Sequence, residues 1–325
     1  FIYIHLWPNA YKNDRTAFTD QDLENGNTDF YFSDNDKRGY INRLDFKVNG
    51  TSAELKDHPQ HQDIVQLQLP EPLAPHTRIR IETPFHVKLP YVFSRSGHIG
   101  QTYQVTQWYP QPAVYDRKGW HPMPYLDQGE FYAEIGSYEV QITLPKNYIV
   151  AATGELQNSD EKAKLDNGIQ VAASGIKSAK GKAVPIASDK ETKTLRYKQN
   201  NVHDFAWFAD KGYQVRHERF QLPSGRPVDG YVFFYPENAA DWSNSLAMVK
   251  RAILTKSQWL GEYPYTVVSV VEDRQGGGGG MEYPTVTLLG TGGSEKSLDF
   301  VIGHEVGHNW FQGILATQER LHPWM

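Results

Sequence analysis

From Phe1 to about Gly212 the chain is written in a two-residue period. Apolar and polar side chains alternate through residues 44–48, 65–69, 78–82, 138–142 and 195–198, and Pro, Gly, Asn and Asp punctuate the runs. Successive side chains of a strand point to opposite faces, so each run can bury one face and wet the other, which predicts sheets stacked as a sandwich. Residues 157–193, rich in Lys, Ala, Ser, Asp and Gly, read as exposed hairpins or loops. Beyond Gly212 the pattern changes. Residues 232–235 read as a strand, and 238–260 as a long helix with Leu246, Val249, Ile253 and Leu260 on its apolar side. The expected fold class is mainly β plus α/β, with an N-terminal β-sandwich domain over 1–211 and a mixed domain over 212–325.

Composition narrows the function. With 39% hydrophobic and 22% charged residues the chain can build real cores, and its net charge of −5 offers no basic field for nucleic acid or an anionic membrane. The absence of Cys excludes disulfides and thiolate metal sites. No apolar run approaches the eighteen or so residues of a membrane helix.

Chemistry concentrates near the end, in His304-Glu305-Val306-Gly307-His308. On a helix, positions i and i+4 share one face, so His304 and His308 can place two imidazole nitrogens on one Zn²⁺. Glu305, one step round, can reach a water at the metal and take its proton, which is the arrangement of peptide hydrolysis without a covalent intermediate. Ser297 is the expected N-cap, and Val301, Ile302, Val306 and Trp310 form the apolar stripe. Gly303 and Gly307 each cost about 1 kcal/mol relative to Ala inside a helix, which makes sense where a neighbour approaches closely. Phe311 and Ile314 stand where a metzincin would need Gly and His, so that class is excluded. A catalytic zinc still needs a third protein ligand, for which Glu319 and His322 are weak candidates beside Pro323.

Upstream lies Gln275 followed by five glycines, Gly276 to Gly280, then Met281-Glu282-Tyr283-Pro284. Such a run alone is a flexible linker, but residues 265–271 before it and 285–289 after it read as strands, with Pro284 placing the second at an edge. A glycine-lined edge lets a peptide lie against it by main-chain hydrogen bonds, and Glu282 at its end could pair with a substrate's α-ammonium. That arrangement would make an exopeptidase.

Gly280-Met281-Glu282 followed by His304-Glu305-Val306-Gly307-His308-Asn309-Trp310-Phe311 resembles the gluzincin family of aminopeptidase N and leukotriene hydrolase. Gln107-Trp108-Tyr109-Pro110 and residues 150–156 are similar to the amino-terminal β-domain of bacterial members. The resemblance implies a saddle-like N-terminal domain followed by the first part of a thermolysin-like zinc peptidase domain. It implies His304 and His308 as zinc ligands, Glu305 as general base, Glu282 as anchor for the substrate amine, and Gly279 and Gly280 as backbone contacts to substrate. A glutamine also meets the amine in relatives; Gln101, Gln104 and Gln107 all lie near the right place, with Gln104 as the site residue adopted. The family's third ligand, a glutamate, would fall two positions beyond Met325, so the 325 residues are expected to supply two ligands of three and to be inactive by themselves. The chain opens on an alternating strand without an initiator Met and reads as cut at that end too. Family habit points to a bacterial envelope or secreted location. Expected partners are peptides with a free amino terminus. Tyr283 stands where the family usually has Asn, which leaves a zinc endopeptidase as one alternative; a non-catalytic peptide-binding protein is another.

Other features receive structural readings. Trp108, Tyr109, Trp120, Tyr125, Phe131 and Tyr132 read as core and strand-edge aromatics, His203-Asp204 as a strand end, and Asp34-Asn35-Asp36 as a turn.

Overall fold

The computed structural model describes residues 1–170, 186–274, 279–290 and 294–322. They form two compact units: one takes in Phe1–His98, Val105–Glu134 and the described residues from Thr317 on, the other Ile99–Gln104 and Ile135–Ala316. Most of the regular structure is β. Four α-helices, Ala17–Glu24, Ser159–Asp166, Ser245–Leu260 and Glu295–Phe311, occur among the described residues, and no described helix is long and apolar enough to cross a membrane.

In the first unit, strands Gln111–Pro112, Ile2–His5, Ile64–Leu67 and Leu55–Asp57 make one antiparallel sheet. Its inward residues Ile4, Val65 and Leu67 pack with Ile41, Phe46 and Val48, which belong to or adjoin smaller sheets built from Tyr40–Asn42 with His86–Lys88 and from Lys47–Val48 with Thr51–Ser52 and Ile81–Glu82. This is the sandwich that the alternation predicts. A second core is aromatic: Trp7, Tyr11, Phe18, Phe30, Tyr125 and Phe131 bury one another, with the Trp7 indole donating to the Met123 carbonyl and the Tyr11 hydroxyl to that of Tyr125. Tyr125 and Phe131 are therefore core residues, whereas Trp120 lies on the hairpin of Val114–Asp116 and Gly119–His121, against Tyr115. The segment 34–38 is a pair of tight turns.

The second unit is organised by a five-stranded sheet in the order Gln214–Gln221, Pro227–Phe234, Val267–Asp273, Val286–Gly290, Gly280–Tyr283. The inner pairs are parallel and the two edge pairs antiparallel. Val267–Asp273 is buried almost throughout because it is covered on both faces. One face, with Val232, Phe234, Val268, Val270 and Leu289, packs under the helices Ser245–Leu260 and Glu295–Phe311 through Val249, Ile253, Ile302, Val306 and Trp310. The other, with Tyr231, Phe233, Val267, Val271 and Tyr283, packs on Ile149, Ala151 and Phe208. A long antiparallel pair, Gly136–Pro145 with Thr192–Val202, also belongs to the unit and ends on His203, whose carbonyl accepts from the Tyr138 hydroxyl.

The compact units do not coincide with the division expected at 211/212. Residues 135–211 pack with 212–316 because Ile149, Ala151 and Phe208 share one apolar cluster with Val215, Tyr231 and Phe233. A change of periodicity marks where element type changes; a unit ends where packing ends.

Local expectations need four corrections. Ser159–Asp166, read as loop, is a helix with Asp160 and Glu161 in its first turn, a Lys162–Asp166 pair one turn apart, and Leu165 buried beneath. The helix expected from 238 begins at Ser245, because Trp242 is buried first and its carbonyl takes the Ser245 hydroxyl. The N-cap of the last helix is Ser294, whose side chain accepts from the Ser297 amide, so Ser297 is inside the helix. Pro284 lies in a turn, and the sheet edge is Gly280–Tyr283, with Val286–Gly290 one strand further in.

Candidate metal and peptide site

Helix Glu295–Phe311 owes its orientation to its stripe: Ile302, Val306 and Trp310 face the sheet, and the Trp310 indole donates to the Gly261 carbonyl at 2.9 Å. With those positions turned inward, His304 and His308 emerge together on the accessible side. Their Nε2 atoms are 3.2 Å apart. Phe300, one turn earlier and 75% exposed, stacks beside His304.

Glu305 and Glu282 are both buried. Because a strand alternates faces, Glu282 points toward the helix while Met281 and Tyr283 point into the opposite core, where Tyr283 meets Phe208. The departure at Tyr283 thus lies on the far side of the strand from Glu282. The carboxylates of Glu282 and Glu305 and one ring nitrogen of His308 lie within 4.8 Å of one another. His308 presents Nε2 to His304 and Nδ1 toward Glu282, the latter at 3.8 Å. Glu282 therefore flanks the imidazole pair on its far ring edge.

Gly280 is where strand and helix touch. A β-carbon there would lie 2.5 Å from the Glu305 side chain, so glycine at this point is what lets Glu305 keep its place. The Gly279 carbonyl accepts from the Gly290 amide, which ties the strand's start to its neighbour. Residues 275–278 lie outside the described residues. Asn309 couples the same two elements: its side-chain carbonyl accepts from the Thr285 amide at 3.1 Å and its amide donates to the Val306 carbonyl.

The three glutamines part company. Gln104 donates to the Asp273 carboxylate at 2.7 Å, at the end of strand Val267–Asp273; Gln101 accepts from Lys211; Gln107 belongs to the first unit. Glu319 and His322 also belong to the first unit, where burial and then Glu130 raise the Glu319 carboxyl.

Sequence reasoning passed over Lys256. Its ammonium donates to the Gly303 carbonyl at 2.6 Å, and burial lowers its pKa. The signal was the pair of helical glycines, although only Gly307 faces a close neighbour: a β-carbon there would lie 2.7 Å from Lys256 Cε, whereas one at Gly303 would meet nothing.

The donor set suits zinc. Zinc–imidazole bonds of about 2.0–2.1 Å at a tetrahedral angle separate two nitrogens by roughly 3.3–3.4 Å, close to the 3.2 Å found. Imidazole with carboxylate and no thiolate fits the same ion.

No protein-family model matches the sequence, and comparison with curated proteins returned no match. Among solved structures the chain is similar to Legionella pneumophila aminopeptidase A, determined in complex with aspartic acid, at a TM-score of 0.53 and 14% identity, over 84% of this chain and 30% of that one. The chain shares its fold with the matched part of that protein. The chain is also similar to a Deinococcus radiodurans M1 zinc metallopeptidase, solved as a point variant, at a TM-score of 0.49 and 17% identity, over 84% of this chain and 56% of that one. It thus spans less than two thirds of either protein.

Proposed function

We propose that this chain carries the front part of the active site of a zinc-dependent aminopeptidase, acting on peptides with a free amino terminus. The observation that carries the reading is the 3.2 Å separation of the His304 and His308 Nε2 atoms on a helix whose Glu305 carboxylate lies against a glycine of the edge strand Gly280–Tyr283. The fold shared with Legionella pneumophila aminopeptidase A supports it.

His304 and His308 would hold the ion, with a third protein ligand beyond residue 325. When bound, zinc would supply Lewis acidity toward a carbonyl and lower the pKa of water toward neutrality. Glu305, buried against the edge strand, would take the proton of the attacking water and return it to the leaving amine. The substrate main chain would lie along Gly279 and Gly280, and Glu282 would hold its α-ammonium, fixing the cut one residue in. Gln104, held by Asp273, would add a contact to that amine.

Glu305→Gln in the full-length protein tests the reading. It should keep the zinc and lose activity by about 10²–10⁴-fold; a variant retaining both zinc and most activity would overturn it.

A further inference from the structure

Resting on the zinc reading above, we propose that Lys256 is a positioning residue for the metal-binding turn. Its ammonium and the slot left by Gly307 together set the rotation of helix Glu295–Phe311, and with it the aim of His304 and His308.

Lys256 sits on the partner helix, Ser245–Leu260, and reaches across to the Gly303 carbonyl at 2.6 Å. In an α-helix that carbonyl already accepts from the amide four residues on, that of Gly307. The lysine adds a second, charge-assisted donor to the turn that joins the two imidazoles. Gly307 leaves the room that the stem occupies, since a β-carbon at 307 would lie 2.7 Å from Cε and the lysine would have to shift from its present path. Gly303 has open space around it, so the close approach belongs to Gly307 alone. The pairing is therefore one of shape as well as charge: helix propensity disfavours glycine here, and the lysine occupies what the glycine leaves. Ile302 and Val306 anchor the helix to the sheet through apolar contacts that tolerate small rotations. The Lys256 bond is directional and acts one residue from His304. A residue that orients ligands in this way typically alters metal affinity by 10–100-fold.

The test uses the full-length protein with Lys256→Met, which keeps the stem and removes the ammonium, and Gly307→Ala, which fills the slot. Zinc affinity is measured by chelator competition, the visible spectrum is recorded after substitution with Co²⁺, and melting of the metal-free protein is followed in parallel. The expected result is a 10–100-fold loss of zinc affinity and an altered cobalt spectrum in each variant, while the metal-free Lys256→Met protein melts close to wild type. The double variant should be no worse than the poorer single, since both remove one contact. Wild-type affinity and cobalt spectrum in Lys256→Met would overturn the proposal. If that variant fails to fold, Gly307→Ala decides: alanine favours the helix by propensity and its β-carbon meets Lys256 Cε, so weakened zinc binding supports the proposal and wild-type affinity overturns it. A wild-type protein that binds no zinc would instead sink the functional reading, so the two failures are distinct.

Discussion

Gly280 and Glu305 compete for one space: a β-carbon on the glycine would stand 2.5 Å from the carboxylate of the glutamate. The pair joins the sheet edge to the helix, and it makes an otherwise anonymous glycine part of the site. Gly280→Ala must push Glu305 aside or lift the strand. Displacing a reacting group by about 1 Å can cost 10²-fold, so kcat should fall about 100-fold with zinc content unchanged. Steady-state kinetics and metal analysis of the same preparation check this; wild-type kcat would show that Glu305 does not act from this position.

Glu282 flanks His308 on the ring edge away from His304, a place suited to a substrate group. Losing a charge-assisted hydrogen bond to an ammonium costs about 1.5–3 kcal/mol, so Glu282→Gln should raise KM for a free-amine peptide by about 10–100-fold. The preference for that peptide over its N-acetylated form should shrink accordingly. Hydrolysis of the two peptides by wild type and variant measures it, and an unchanged preference would favour the endopeptidase alternative.

Tyr283 is buried against Phe208 on the opposite face of the strand. Replacing it with the asparagine usual in the resembled family should therefore act on stability. Tyr283→Asn removes a large buried ring and should cost about 3 kcal/mol, read by denaturant titration, while leaving the ratio of free to acetylated peptide cleavage as in wild type. A changed ratio would mean that residue 283 shapes the amine pocket.

Asp63 offers a pH test in the first unit. Burial pushes its carboxyl up to about 6, against the opposing pull of the Tyr125 amide, which donates to it at 2.6 Å, and of Arg320. A carboxyl whose folded pKa exceeds its unfolded value binds more protons when folded, so its contribution to stability falls as pH rises from about 4 to about 6. Asp63→Asn keeps an acceptor for Tyr125 and cannot titrate. Melting temperature against pH should lose a downward component over that window in the variant; parallel curves would refute the assignment.

Much of the site was legible in linear order because its signals are short-range. Two histidines four apart, a glutamate between them and an apolar stripe need only the helical repeat to be read. The sandwich of the first unit followed from period-two alternation in the same way. What escaped was long-range: helix Ser159–Asp166 is short and mostly polar, so only the burial of Leu165 distinguishes it from a loop. The strand order escaped as well, since Pro284 reads equally as an edge residue and as the turn before an inner strand.

By itself, the sequence determined which chemical groups are present and the spacing that puts His304, Glu305 and His308 on one helix, because helical geometry converts spacing directly into direction. Only the tertiary structure decided which way Glu282 points, that Gln104 sits on Asp273, that Gly280 makes room for Glu305, and that Lys256 reaches Gly303. Each of these depends on the register of a strand or the packing of one helix on another, and such contacts between residues distant in the chain leave no periodic trace in it.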